Sequence, residues 1–256
     1  ACGENPKRVY SSRGPSTRMG NVAGYRNAWI GAENHRDRLE KDPDHRDIKN
    51  ETLVGVLDGE ILVHNHCYRA DEIATMINIS QEFGYKVSTF HHGVEAYKIA
   101  NLLADEGICA ALWADWWGFK HEAYDMTIAN IAIVDQARGG KGCAIVHSDS
   151  ASGIQRLNQE AAKALAAGRE AGFDISEERA MTWITKNPAK SLGILEQTGT
   201  LENGKDADIV IWSGNPFSVY SKAEQVYIDG ALAFDKTTNF MPHTDFDLGV
   251  KEWEDK

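Results

Sequence analysis

Histidine and aspartate side chains recur where short apolar segments of this sequence end. In "ILVHNH", His64 and His66 are two residues apart, a spacing that points both side chains to one face of a β-strand. Imidazole and carboxylate groups together are ligands that suit zinc or a similar divalent ion. Any one of these residues could be an ordinary core or loop residue, but their recurrence predicts a metal site. The segment ends carry His64 and His66, then His91 and His92, then Asp115 with Trp116 and Trp117, then His147 and Asp149.

Apolar strands and amphipathic helices alternate four times in the middle of the chain. The predicted strands are "EILVHNH", "YKVSTFHH", "ICAALWA" and "GCAIVHSDS", and each is followed by a helix that ends near a glycine. This alternation is typical of βα units around a buried parallel sheet. Because the carboxyl ends of parallel strands meet at one edge of a sheet, the polar residues above should share one site.

The regions on either side of these βα units have different sequence patterns. Residues 1–20 are predicted to form a loop, residues 21–41 a helix, and "KDPDHRDIKNE" a polar linker. A further helix, "SEERAMTWITKNPAKSLGI", has Ser176 as its N-cap. After Gly199 the turn signals "NG", "DG" and "GNP" separate short strands, which predicts a small β unit. Two domains are therefore expected, over residues 1–198 and 199–256.

The number of βα units limits the possible folds. A complete (β/α)8 barrel takes about 250 residues, so a chain of 256 residues could hold one. Only four βα units are found, and a closing helix and the β unit follow them at once. The fold is therefore either a four-unit open sheet or the C-terminal half of a barrel.

Composition excludes some functions and leaves others open. A formal net charge of -11 argues against a nucleic-acid-binding surface. No apolar run approaches the roughly 20 residues of a membrane span, and "ACGENPKRVY" does not read as a signal peptide, so we expect no membrane association. The compartment stays open. The cysteines form no CxxC pair and are predicted to be buried free thiols; they are Cys2, Cys67, Cys109 and Cys143.

Several segments resemble the metal-dependent amidohydrolase superfamily, and its imidazolonepropionase-like and prolidase-like branch most closely. "VHNHCYRADEI", "FHHGVEAYKIA", "ADWWGFK" and "IVHSDSASGIQRLNQEAAKA" resemble the last four barrel strands of that family. "NPAKSLGI…GTLENGKDADIVIW" is the most specific part, because in the family this segment leads from the barrel to a small β-sandwich. The resemblance covers about residues 1–249. It implies an α/β fold made of strands 5–8 of a TIM barrel plus part of the sandwich.

The resemblance also implies which residues form the site. His66 matches the strand-five metal ligand, with His64 as its neighbour, and His92 rather than His91 matches the strand-six ligand. Asp149 in "HSDS" matches the strand-eight aspartate, which contacts metal and takes a proton from water. The implied metal ligands are thus His66, His92 and Asp149, and the implied catalytic residues are Asp149 and His92. The implied cofactor is one or two ions of Zn²⁺, or of another divalent metal such as Mn²⁺ or Fe²⁺.

The chain departs from the family pattern because it has no counterpart of strands one to four. The family's strand-one His-x-His is absent, and the strand-four bridging residue would fall at or just before Ala1, with Glu4 the nearest acidic candidate. The resemblance therefore implies an N-terminal half-barrel polypeptide as partner, and a homo-oligomer of the assembled pair. The alternatives are a non-catalytic fragment or assembly subunit, or an open-sheet protein with a histidine-rich surface site.

The implied reaction is hydrolysis of a C–N bond by metal-activated water, in a cyclic amide or a small peptide. Tyr68 and Arg69 are candidates for holding a substrate carboxylate, although Arg69 equally suits a salt bridge at a helix start. Trp117 and Lys120 in "DWWGFK" are candidates for the substrate pocket, or else pack against the barrel rim.

Two further sets of polar residues could have either a structural or a functional role. His147 is either a partner of the metal ligands or a core residue. Asp206 and Asp208 in "GKDADIV" look catalytic in isolation, but their position in the β unit predicts turn residues.

Overall fold

The centre of the molecule is a four-stranded sheet whose strands all run parallel. It belongs to a computed structural model of the chain, which describes residues 1–9 and 12–238. Parallel neighbours joined through helices confirm the α/β class. The half-barrel stays a prediction. In chain order and side by side, the strands are Val63–His66 (β1), Val87–His91 (β2), Cys109–Leu112 (β3) and Cys143–Val146 (β4).

Helices follow each strand, as the alternating pattern predicted. The described helices are Glu4–Val9 (α1), Arg18–Leu39 (α2), Ile48–Leu57 (α3), Ala70–Phe83 (α4), Ala100–Glu106 (α5), Asn130–Gly140 (α6), Leu157–Glu170 (α7), Glu177–Met181 (α8) and Lys186–Ser191 (α9).

The main core lies between one face of the sheet and the helices. Phe90, Ala110, Leu112, Ala144 and Val146 are all buried in it, together with apolar residues of α4 to α7. Their neighbours along the strands point to the opposite face, as the two-residue period of a strand requires. That opposite face carries the histidines at its carboxyl edge.

Register aligns the strand ends that carry the chemistry. His66 of β1 lies opposite His91 of β2, and Leu112 of β3 lies opposite Val146 of β4. Residues just beyond these positions therefore emerge at the same edge of the sheet, which is the arrangement expected from the sequence.

The cysteines are disulfide-bonded, so the expectation of free thiols is wrong. Cys109 pairs with Cys143, and Cys2 pairs with Cys67. Strand register brings Cys109 opposite Cys143, although they are 34 residues apart in sequence. The backbone N–H of Cys2 donates to the carbonyl of His66 at 2.7 Å, so the first residues of the chain run beside β1. The spacing of the cysteines in the sequence predicts neither of these two disulfide pairs.

Several predicted element boundaries are also wrong. The predicted loop over residues 1–20 contains α1, and the predicted linker overlaps α3, whose start is fixed by the side chain of Asp47 accepting from the N–H of Asn50. The helix after the third strand, predicted over the segment "HEAYDMTIANIAIVDQARGG" from His121, begins only at Asn130, whose side chain bonds the carbonyls of Gly93 and Val94. A local sequence pattern does not predict tertiary contacts of this kind. The helix predicted from Ser176 is broken into α8 and α9.

A second, three-stranded antiparallel sheet follows Gly199, as predicted. Asp229 and Gly230 both have positive φ and form the two-residue "DG" turn between its last two strands. Asp208 accepts hydrogen bonds from Thr198 and from the N–H of Asp229, which is the structural role predicted for it. The division at residue 198 stays a prediction, and its last residues, 239–256, lie outside the described part. The strands are Ile209–Trp212 (β5), Ala223–Ile228 (β6) and Ala231–Asp235 (β7).

Over residues 1–9 and 12–238, no helix combines the length and the apolar character that a bilayer crossing requires.

Candidate active site

Three histidines pack together at the carboxyl edge of the parallel sheet. The ring centroid of His92 lies 4.5 Å from that of His66 and 4.8 Å from that of His147. His91 instead turns to His64, with 2.9 Å between His64 Nδ1 and His91 Nε2. His64 also contacts the carbonyl of Ser191 at the end of α9. The geometry therefore places His92 at the centre of the cluster and His64 at its margin.

Burial keeps these imidazoles neutral. It lowers the pKa of His66 to about 3, with a further contribution from the neighbouring His92 and Lys120. Burial likewise lowers the pKa of His147 to about 3 and that of His92 to about 4, while the carboxylate of Asp149 partly opposes the shift of His92. Neutral imidazole is the form that binds a metal ion. The cluster is thus in the ligand-competent state throughout the physiological pH range.

Stability of the metal-free protein is expected to fall as the pH is lowered from 6.5 towards 4. In this window the unfolded chain protonates His66, His92 and His147, whose ordinary pKa is 6.5, while the native state leaves them neutral. The unfolded state binds more protons, so acid favours unfolding. Urea unfolding at a series of pH values, with chelator present, measures this slope. His66→Asn should reduce the slope and His121→Asn, on an exposed histidine, should not; equal slopes in both variants would contradict the assignment.

Two residues of the site have a backbone conformation that is unusual for their type. His92 has a φ of 63° and Asp149 a φ of 49°. Non-glycine residues in the left-handed region are uncommon, and they concentrate at functional sites. The Nδ1 atom of His92 lies 3.8 Å from Oδ2 of Asp149, and the Asp149 side chain is 56% exposed. The carboxylate is therefore beside the histidine cluster and open to solvent.

The predicted substrate residues Tyr68 and Lys120 lie together on one wall of the cluster. Lys120 Nζ is 4.0 Å from the centroid of the Tyr68 ring and 3.2 Å from a carboxylate oxygen of the buried Glu122. Lys120 also donates to the side chain of Asn5, whose amide nitrogen is 3.1 Å from His66 Nε2. A chain of polar contacts thus connects the amino-terminal residues with the histidines.

The other two predicted substrate residues lie differently. Arg69 pairs with Asp71 at the start of α4, with 2.9 Å between Nε and Oδ1, which is the structural alternative named above. Trp117 is exposed. The roles of all four residues stay predictions.

Trp113 is the central site residue that the sequence reading missed. Its ring stacks on His92 at 4.8 Å and on His147 at 5.1 Å, and its indole N–H donates to the carbonyl of Ser148. A sequence signal exists, because Trp113 lies near the end of the strand segment "ICAALWA", where the site residues of the other strands also lie. Asn5 had no such signal, since 61 residues separate it from His66.

The donor set fits a divalent metal ion, although it is incomplete in the described part of the chain. Over residues 1–9 and 12–238, no three His, Cys, Asp or Glu side chains form a ready metal-binding group. Two buried imidazole nitrogens of this cluster, His92 Nδ1 and His147 Nε2, nevertheless lack hydrogen-bond partners among the described residues. Such orphaned nitrogens are costly unless something binds them. Neutral imidazoles with one carboxylate are the ligands that zinc and similar ions take.

The chain belongs to the amidohydrolase family, whose model matches residues 25–240. This confirms the resemblance described above. Amidohydrolase tasK of Hapsidospora irregularis is 31% identical over 256 residues, which cover 92% of this chain and 25% of that protein. Imidazolonepropionase of Thermoplasma volcanium is 41% identical over 69 residues, covering 25% of this chain and 17% of that protein.

Among solved structures, an amidohydrolase from Thermotoga maritima MSB8 is similar over most of the chain. The TM-score is 0.81 at 36% identity, and the match covers 92% of this chain and 61% of that chain. The present chain thus spans less than two thirds of the length of each of these three relatives.

Proposed function

We propose that this chain is part of a metal-dependent hydrolase that cleaves C–N bonds in a cyclic amide or a small peptide. The observation that carries the proposal is the cluster of neutral histidines beside Asp149, at the carboxyl edge of a parallel sheet. Family membership supports the reaction class. The local similarity to imidazolonepropionase favours an amide within a small ring.

His66, His92 and Asp149 are the residues that we propose to hold one or two divalent ions, Zn²⁺ or alternatively Mn²⁺ or Fe²⁺. Such an ion, when bound, supplies Lewis acidity, which makes water acidic enough to lose a proton near neutral pH and polarises a carbonyl group. The orphaned Nδ1 of His92 supports this assignment.

Asp149 is the proposed proton carrier. Its exposed carboxylate accepts the proton of the attacking water and then gives it to the leaving nitrogen. His92, 3.8 Å away and neutral, orients this carboxylate or polarises the substrate carbonyl. Tyr68, Lys120 and Trp117 are proposed to border the substrate.

The proposed partner is an N-terminal half-barrel that supplies further strands, on another polypeptide or as more of the same one. Among the described residues, no strand pairs with the outer side of β1 or of β4, although Cys2 hydrogen-bonds the backbone of β1 and Asn187 of α9 bonds the carbonyl of Ala144 in β4. The outer strands of a parallel sheet normally pair with further strands or are covered. A groove of about 940 Å³ between α8, α9 and β5, lined by apolar residues such as Ile184, Leu192 and Ile209, offers a further contact surface. The coverage of 61% of the Thermotoga maritima structure supports the same proposal. We also propose that the completed pair forms a homo-oligomer.

Intact mass, metal content and hydrolysis of an amide and dipeptide panel, measured on native material, test the proposal. We expect additional polypeptide beyond 28.3 kDa, bound divalent metal, and hydrolysis that chelator removes and zinc restores. A 28.3 kDa chain that is stable alone, binds no metal and hydrolyses nothing would favour the non-catalytic alternative.

A further inference from the structure

A second cavity adjoins the histidine cluster at His147 and Trp113. Its volume is about 570 Å³, within the range of small-molecule sites. It lies between the ends of β3 and β4 and the helix α7. Trp113 separates it from the cluster, and His147 lines both.

Two tryptophans form an aromatic wall of this cavity. Trp113 and Trp116 stack with ring centroids 6.1 Å apart and an interplanar angle of 27°. Trp113 is buried and held by its bond to the carbonyl of Ser148, whereas Trp116 is 45% exposed. A flat apolar group would find a preformed face at Trp116.

Of the two basic side chains that line the cavity, Lys163 and Arg156, only Arg156 has no carboxylate partner among the described residues. Lys163 is neutralised by two carboxylates, with 2.7 Å to Asp115 and 2.8 Å to Glu160. Arg156 also lines the cavity, and no carboxylate in the described ranges pairs with it. This contrasts with Arg69, whose guanidinium is engaged by Asp71. A planar guanidinium binds a carboxylate through two parallel hydrogen bonds.

We propose that this cavity binds the carboxylate-bearing part of the substrate, with Arg156 on the carboxylate and Trp116 on an adjoining flat group. The inference rests on the proposed hydrolase function and names its substrate class: amides that carry one carboxylate and a planar apolar group. A dianionic phosphate fits less well, because Asp115 and Glu160 lie nearby and cancel the only other cation. His147 lines the cavity on the side of the histidine cluster.

Binding of phenylacetate and of its neutral analogue phenylacetamide, measured by calorimetry on the intact protein, tests this proposal without requiring turnover. We expect phenylacetate to bind in the millimolar range and to weaken at least tenfold in Arg156→Gln. Arg156→Lys should bind phenylacetate more tightly than Arg156→Gln but more weakly than the wild type, because lysine keeps the positive charge and lacks the planar guanidinium that donates two parallel hydrogen bonds. Phenylacetamide should be unaffected by either variant.

Arg38→Gln is the matched control, since Arg38 is an exposed arginine of α2 that does not line the cavity. It should leave both affinities unchanged. Trp116→Ala should weaken the acid and the amide alike. Equal phenylacetate affinity in the wild type and Arg156→Gln, or an unchanged affinity in Trp116→Ala, would overturn the subsite. Failure of the hydrolase proposal would appear separately, as loss of metal-dependent turnover with these affinities intact.

Discussion

Asp149→Asn is expected to lower kcat of the complete enzyme by about 10²–10⁴-fold, the usual contribution of a positioned proton-transfer group. The carboxamide keeps the shape of the carboxylate but does not accept the proton of the attacking water. Since the Asp149 side chain is 56% exposed and lies 3.8 Å from His92, beyond hydrogen-bond distance, the fold should survive the change. The measurement is kcat and KM on the best amide substrate, with circular dichroism to verify folding.

Asp105→Asn is the control for this variant. Asp105 is an exposed aspartate paired with Arg138 on a helix surface, and its loss should leave kcat unchanged. Metal content measured in parallel separates two roles of Asp149. Lost activity with full metal occupancy indicates proton transfer, and lost metal indicates ligation. Full metal-dependent turnover in Asp149→Asn would contradict both roles.

Strand-level features were predictable from sequence because they depend on short-range patterns. Apolar runs that end in His or Asp predicted both the parallel strands and the edge where the site lies, since register of parallel strands aligns their ends. The turn at Asp229 and Gly230 was predictable for the same reason, because few residues tolerate positive φ.

Contacts between distant parts of the chain were not predictable. The Cys2–Cys67 pair, the Asn5–His66 contact and the delayed start of α6 at Asn130 all depend on where separate segments meet in space. The role proposed for Arg156 was also not predictable from sequence. It depends on the spatial finding that Asp115 and Glu160 both pair with Lys163.

Asp135→Ala is expected to cost about 1–3 kcal/mol of unfolding free energy, as leaving a buried hydrogen-bond donor without its acceptor does. The side chain of Asp135 is fully buried and lies 2.8 Å from Arg179 Nη2. It also accepts a hydrogen bond of 2.9 Å from the indole N–H of Trp183, itself fully buried. Removing the carboxylate leaves the buried indole N–H of Trp183 without its acceptor, whereas Arg179 keeps its hydrogen bond to the carbonyl of Gly140. The midpoint of urea unfolding, with an unchanged m value, measures the loss.

Asp105→Ala provides a control with similar geometry and different burial. Asp105 receives two hydrogen bonds from Arg138, of 2.8 and 2.6 Å, but both side chains are about half exposed. Water and salt screen an exposed pair, so its loss should change the urea midpoint little. The Asp135–Arg179 pair also ties α6 to α8, and Arg179 donates to the carbonyl of Gly140 just before β4. If both alanine variants lowered the midpoint equally, burial would not be the cause, and the network around Asp135 would not hold the closing helix against the sheet.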